Sequence, residues 1–188
     1  MAKIITVLSS KGGVGKSTIA MNLSFAFHKK DKKTLLVDTD PQNSISATLC
    51  ISSEYGIVDL LLDKMDINSV YKKVRENLFV IPAGINAMDL TLEFKDIFEK
   101  DKLQRTIDNI SNMGFNFIVF DTPPGYNTQT EALIKLSDLI LTVFEPTPLS
   151  YSSYKIFEEH FLKRNSYLKD EMFLIINKLR ADEISEDF

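Results

Sequence analysis

The chain has one cysteine, Cys50, in 188 residues. A lone thiol can neither close an intramolecular disulfide nor build a cysteine-ligated metal site, and Cys50 is expected to sit as a small, half-buried residue. Cysteine this sparse suits the cytoplasm. Long apolar runs are missing too. None approaches the roughly 18 to 20 residues that a membrane-spanning helix needs, and Met1-Ala2-Lys3 leads into a strand pattern rather than a signal peptide. Internal repeats, low-complexity segments and linker-like stretches are absent, so a second domain has no sequence support. Positive charge is in deficit, with 22 Lys and Arg against 26 Asp and Glu for a net charge of −4 and a pI near 5.3. That balance argues against a dominant surface for nucleic-acid backbones, while leaving room for a local basic patch. What is present is 44% hydrophobic and 26% charged residues in 21.4 kDa, the expectation for one domain over 1–188 with a real core.

Short apolar runs alternate with helical periodicities. Residues 4–8, 34–37, 78–81, 117–120, 139–144 and 173–176 are brief and lack polar alternation, the pattern of parallel strands covered on both faces. Ile19, Leu23, Ala26 and Phe27 recur at helical spacing to about His28, as do Leu103, Ile107 and Ile110 within 85–113, and further helices are expected over 129–136 and 150–164. Gly114 is placed to close the 85–113 helix. The stretch 43–77 is less regular. Ile57, Val58, Leu60 and Leu61 suggest a short amphipathic helix, Asp66-Ile67-Asn68 a turn, and Val70 to Val74 another helical piece. The alternation predicts an α/β fold: one doubly wound, mainly parallel β-sheet flanked by helices, with right-handed crossovers.

Between the first strand and the first helix stands Lys11-Gly12-Gly13-Val14-Gly15-Lys16-Ser17-Thr18. Glycines let successive backbone N–H groups turn onto an anion, and the following helix N-terminus adds unpaired donors and a positive dipole end. Lys16 can then reach β- and γ-phosphates, and the Ser17 hydroxyl can take one position on Mg²⁺. The ordinary phosphate-loop pattern wants a glycine where Ser10 stands; the variant present instead opens on a second lysine, Lys11. Thr18 either caps the helix, touches an α-phosphate, or is a plain helical position.

The second strand ends in Asp38 and Asp40, and the fourth apolar run delivers Asp121 before the rigid Pro123-Pro124. In open α/β sheets ligands collect beyond the carboxyl ends of the strands, so these acids share a rim with the loop. Asp121 or Asp38 would hold Mg²⁺ directly or through water; a strand-ending aspartate can equally be a turn or cap residue. Asn177 follows the last strand, where its amide could read adenine by donating and accepting at once, or serve only as a turn former. The guanine signature Asn-Lys-x-Asp lacks its acid, since Arg180 stands there.

The loop, together with Asp38-Thr39-Asp40-Pro41-Gln42 and Asp121-Thr122-Pro123-Pro124, resembles the deviant Walker A ATPases, and among them the ParA (Soj-type) partition ATPases, over about residues 3 to 178. The resemblance implies a P-loop NTPase fold with ATP and Mg²⁺ as cofactors. It implies a nucleotide-dependent homodimer whose ATPase is weak alone and stimulated by a ParB-like, DNA-bound adaptor, in plasmid or chromosome partition. It also implies that Asp40 positions the attacking water and that Lys11 reaches across the dimer to the partner's phosphates, which with Lys16 makes the catalytic set. The family usually continues into further helices, and this chain ends at Glu186-Asp187-Phe188; the expectation is a domain lacking those helices, with nonspecific DNA binding expected only weakly. The alternative is a MinD-like spatial regulator or cargo-positioning ATPase not acting on DNA, which would want a basic amphipathic helix at the C-terminus. A relative resembling nitrogenase reductase fails on cysteine count. A nucleotide-binding module without hydrolysis is separated only by assay.

Overall fold

The inner strands take their places because their apolar runs are covered on both faces, while the last run, at the sheet edge, leaves Phe173, Leu174 and Ile176 exposed. In the computed structural model, which describes residues 1–87, 100–163, 165 and 170–179, the elements in chain order begin with β1 (Lys3–Leu8), α1 (Lys16–His28) and β2 (Thr34–Asp38). Three short helices follow, α2 (Ser44–Leu49), α3 (Ile57–Leu61) and α4 (Ile67–Val70), then a hairpin of β3 (Lys72–Arg75) and β4 (Leu78–Ile81) and a 3₁₀ turn at Ile85–Ala87. After these come α5 (Lys100–Ser111), β5 (Phe117–Asp121), α6 (Thr128–Lys135), β6 (Leu139–Phe144), α7 (Pro148–Phe157), a π turn at Glu158–Leu162 and β7 (Met172–Ile176). The seven strands form one sheet in the order β3-β4-β2-β5-β1-β6-β7, parallel throughout except for β3 against β4. This is the doubly wound sheet expected, with β1 between β5 and β6 and the phosphate loop leaving its centre.

Period-two alternation distributes the strand residues to two cores. Leu35, Val37, Ile118 and Phe120 point to one face, where Leu103, Ile107 and Ile110 of α5 and Ile57 and Leu61 of α3 cover them. Leu36, Val80, Val119, Ile5 and Val7 point to the other, against Ala20 of α1 and Ile45 of α2. A third cluster joins Leu8 and Ile140 to Ile134, Phe157 and Leu162. Both faces of β2 are dry, which explains why its sequence shows no polar alternation.

Three local expectations are corrected. Val70 to Val74 is not helical: α4 ends at Val70 and Lys72–Arg75 pairs antiparallel with β4. Cross-strand packing overrides the apolar spacing there, with Tyr71 edge-on to Phe79 at 5.6 Å, and the alternately exposed side chains suit an edge strand. The helix expected over 85–113 is a 3₁₀ turn at 85–87 and α5 from 100; 88–99 lie outside the described residues, as does 164 at the end of the helix expected from 150. Cys50 is exposed rather than half-buried, because it closes α2 in a left-handed conformation (φ 52°) that turns the chain outward.

Candidate nucleotide site

The loop is built by the end of β1 and the start of α1. The buried Ser9 hydroxyl donates to the Lys11 carbonyl at 2.7 Å, and Gly125 N–H donates to the Ser9 carbonyl at 2.9 Å, tying the loop to the segment after β5. Gly13 and Gly15 adopt φ of +79° and +100°, where a Cβ is strained. Gly15 has a second reason to be glycine, since a Cβ there would meet Asn177 Nδ2 at 2.4 Å. The first turn of α1 has no side-chain cap and no acidic residue, so its amides stay free for an anion.

A cavity of about 400 Å³ opens over this turn, lined by the loop residues from Gly12 to Thr18 other than Val14, together with Asp40, Gln42, Ser44 and Pro124. The structure therefore brings together Gly12, Gly13, Gly15, Lys16, Ser17, Thr18 and Asp40 as the sequence led one to expect. Lys16 is buried, Val14 faces the core, and Thr18 is exposed with its carbonyl taken by Asn22 Nδ2. A second cavity of about 270 Å³, between α6 and α7 around Tyr126 and Phe157, carries no comparable set of phosphate-binding groups.

Asp38 and Asp121 are directly opposite each other across β2 and β5, both fully buried. Asp38 Oδ1 accepts from Asp40 N–H at 3.0 Å and Oδ2 from Ile45 N–H at 3.3 Å, so it shapes the turn that follows β2. Burial first, and the Asp121 charge second, raise its pKa to about 7. Neither Asp121 oxygen has a hydrogen-bond partner. Burial raises Asp121 to about 6; the Ser17 hydroxyl, near it but outside hydrogen-bonding geometry, and the Lys16 ammonium hold it from rising further. An unpartnered carboxylate buried beside a hydroxyl fits a hard divalent cation such as Mg²⁺. Among the described residues no group of three or more acid, histidine or cysteine side chains could hold a metal ion by itself, so a cation here would draw on a carboxylate, Ser17, phosphate oxygens and water.

Asp40 is buried in the cavity wall, with Oδ1 accepting from Gln42 N–H at 3.0 Å. Lys11 lies aside from the cavity, its ammonium 3.3 Å from Glu145 Oε2. Glu145 Oε1 is 2.5 Å from Lys178, whose ammonium also donates to the Gly13 carbonyl at 2.6 Å. The hydrogen bond from Lys178, then that from Lys11, holds Glu145 below the usual carboxylate range. Asn177 Nδ2 donates to the Val14 carbonyl at 2.7 Å, so in this structure its amide braces the loop. Sequence reasoning missed Glu145 and Gln129, a buried α6 residue donating to the Thr39 carbonyl at 3.0 Å; neither belongs to a motif, and only tertiary contacts reveal them.

A glycine loop leaving the central strand of a doubly wound sheet, with acids at the ends of the neighbouring strands, defines a P-loop NTPase fold of the deviant Walker A type. A family profile described as an AAA domain matches residues 2–171, and the chain belongs to that family. Over 134 residues it is 38% identical to the chromosome-partitioning ATPase Soj of Treponema pallidum, spanning 69% of this chain and 52% of that protein. The chain thus spans about half the length of this curated relative. A plasmid partition protein from Borrelia burgdorferi superposes with a TM-score of 0.82 at 28% identity, over all of this chain and 84% of the other. A second plasmid-partition-type protein from Borrelia burgdorferi B31, solved with AMPPNP bound, gives 0.79 at 28% identity, over 96% of this chain and 76% of that one. The ParA/Soj resemblance drawn from the motifs is borne out by these relatives. Among the described residues no helix is long and apolar enough to cross a membrane.

Proposed function

We propose that this chain is a Mg-ATP-dependent, dimerising ATPase domain of the ParA type, working in the cytoplasm in plasmid or chromosome partition. The observation that carries the reading is the convergence on one cavity of the uncapped first turn of α1, the buried Lys16 and Asp40, with the unpartnered Asp121 at the end of β5 beside Ser17. AMPPNP in the Borrelia burgdorferi B31 neighbour supports ATP as the ligand.

In this reading the loop amides and Lys16 hold the β- and γ-phosphates, and Asp121 with Ser17 takes the cation, Asp38 keeping the turn in shape behind them. Mg²⁺, when bound, neutralises charge between the phosphates. Asp40 orients the attacking water from the cavity wall, the role that raises turnover rather than ground-state affinity. Lys11 leaves Glu145 to reach the phosphates of a second copy, making hydrolysis slow in the monomer and open to stimulation by a ParB-like adaptor. Asn177 lies next to the loop, at the rim where an adenine would meet β7.

The test is calorimetry of ATP binding to Lys16→Ala beside phosphate release. Loss of a charge-assisted contact is expected to cost about 1.5–3 kcal/mol or more, roughly ten- to a hundredfold in affinity. Unchanged ATP binding in that variant would overturn the site assignment.

A further inference from the structure

Asn43 occupies the N-cap position of α2 in a left-handed conformation (φ 49°, ψ 37°), yet its side chain makes no capping bond to that helix. The amide is spent elsewhere. Nδ2 donates to the carbonyls of Pro41 at 3.3 Å and Gly84 at 3.2 Å, and Oδ1 accepts from the N–H groups of Ala83 at 3.1 Å and Gly84 at 3.3 Å. Asn43 N–H also donates to the Asp40 carbonyl at 2.9 Å. One amide hydrogen and the amide oxygen thus stitch the turn carrying Asp40 to the segment after β4, while the other amide hydrogen closes the turn on itself at Pro41.

That segment is itself anchored. Ile57 N–H donates to the Pro82 carbonyl at 2.8 Å, and Gly84 is packed so closely that a Cβ would lie 2.9 Å from Asp59 Oδ2. Asp59 is buried and accepts from Gly56 N–H at 2.9 Å and from Asn86 Nδ2 at 2.8 Å. The Asp40 carboxylate, by contrast, has one backbone donor, Gln42 N–H. Its place in the cavity wall depends on the turn around it.

We infer that Asn43 is a positioning residue for hydrolysis, holding Asp40 over the phosphates by fastening its turn to the 82–84 segment; this rests on the reading of Asp40 given above. An asparagine suits the post twice, because it tolerates the left-handed backbone and carries a donor and an acceptor on one plane.

The test is Asn43→Gly, which keeps the left-handed backbone and removes the stitch. Single-turnover phosphate release is expected to fall about tenfold or more while ATP affinity by calorimetry stays within about twofold, and the Ala83 and Gly84 amides are expected to exchange faster. Because Asn43 acts through Asp40, the Asn43→Gly/Asp40→Ala double variant is expected to be no slower than Asp40→Ala alone. Unmodified turnover in Asn43→Gly beside an impaired Asp40→Ala overturns this inference alone, and so do two losses that multiply. An Asp40→Ala variant with unmodified turnover, or an unmodified chain with none, overturns the functional reading itself.

Discussion

Removing a charge from the candidate metal site is expected to stabilise the nucleotide-free protein. Asp121 is buried, and neither of its oxygens has a partner. Its pKa rises from 3.8 to about 6, so at neutral pH the folded state carries an anion it holds poorly. The sign follows from linkage: a carboxyl with a raised folded-state pKa adds stability below about pH 4, and that contribution is lost as pH climbs through about 6. At about 1.4 kcal/mol per tenfold change in the proton equilibrium, the penalty at pH 8 is at most roughly 3 kcal/mol. Asp121→Asn is near-isosteric and removes that penalty, as well as the Asp121 charge that helps raise Asp38 to about 7. Allowing for an amide left as unpartnered as the carboxylate was, a gain of about 1–3 kcal/mol is expected at pH 8, or several degrees in Tm at this chain length. The assay is thermal unfolding by circular dichroism from about pH 3.5 to pH 8, with Mg-ATP added in a parallel series. The variant is expected to melt higher at pH 8, to keep about half of that advantage at pH 5 and to converge with the unmodified protein only below about pH 4, and to lose the stabilisation that Mg-ATP is expected to confer on the unmodified chain. A variant that melts lower at pH 8, or whose advantage does not shrink with acid, refutes the reasoning.

Asp40→Ala is expected to leave Mg-ATP bound while lowering turnover by ~10²–10⁴-fold, measured as phosphate release and affinity on the same sample. Lys11→Ala is expected to spare monomer binding and to weaken ATP-dependent dimerisation in light scattering; normal dimerisation would leave its 3.3 Å contact with Glu145 as its whole role. Asn177→Ala is expected to erode a preference for ATP over GTP in competition binding, and equal affinities in the unmodified protein would remove the base-reading role.

The layout of this fold was legible where one kind of pressure acts alone. Leu35, Leu36 and Val37 must be apolar because both faces of β2 are covered, and nothing else competes for those positions. The loop was legible because Gly13 and Gly15 are required by backbone conformation and Lys16 by phosphate chemistry. The strand at 78–81 was legible too, but its partner at 72–75 was not, since Val70 and Val74 happen to be spaced like a helix and only the pairing of Lys73 with Phe79 decides the matter. Asn43 and Glu145 were invisible for a related reason: each acts on groups more than 30 positions away, which no local pattern records.

The phosphate loop and the last strand are stapled together, Asn177 to Val14 and Lys178 to Gly13, across 163 and 165 positions of chain. During synthesis from the N-terminus the loop therefore emerges long before the two side chains that brace its carbonyls. Until β7 has docked beside β6, the loop lacks those braces, and an early domain fragment offers glycines without a fixed cradle. On the proposed function, nucleotide affinity is then expected to report completed assembly: a chain that has not seated its final strand is expected to bind ATP weakly and to stay out of the nucleotide cycle.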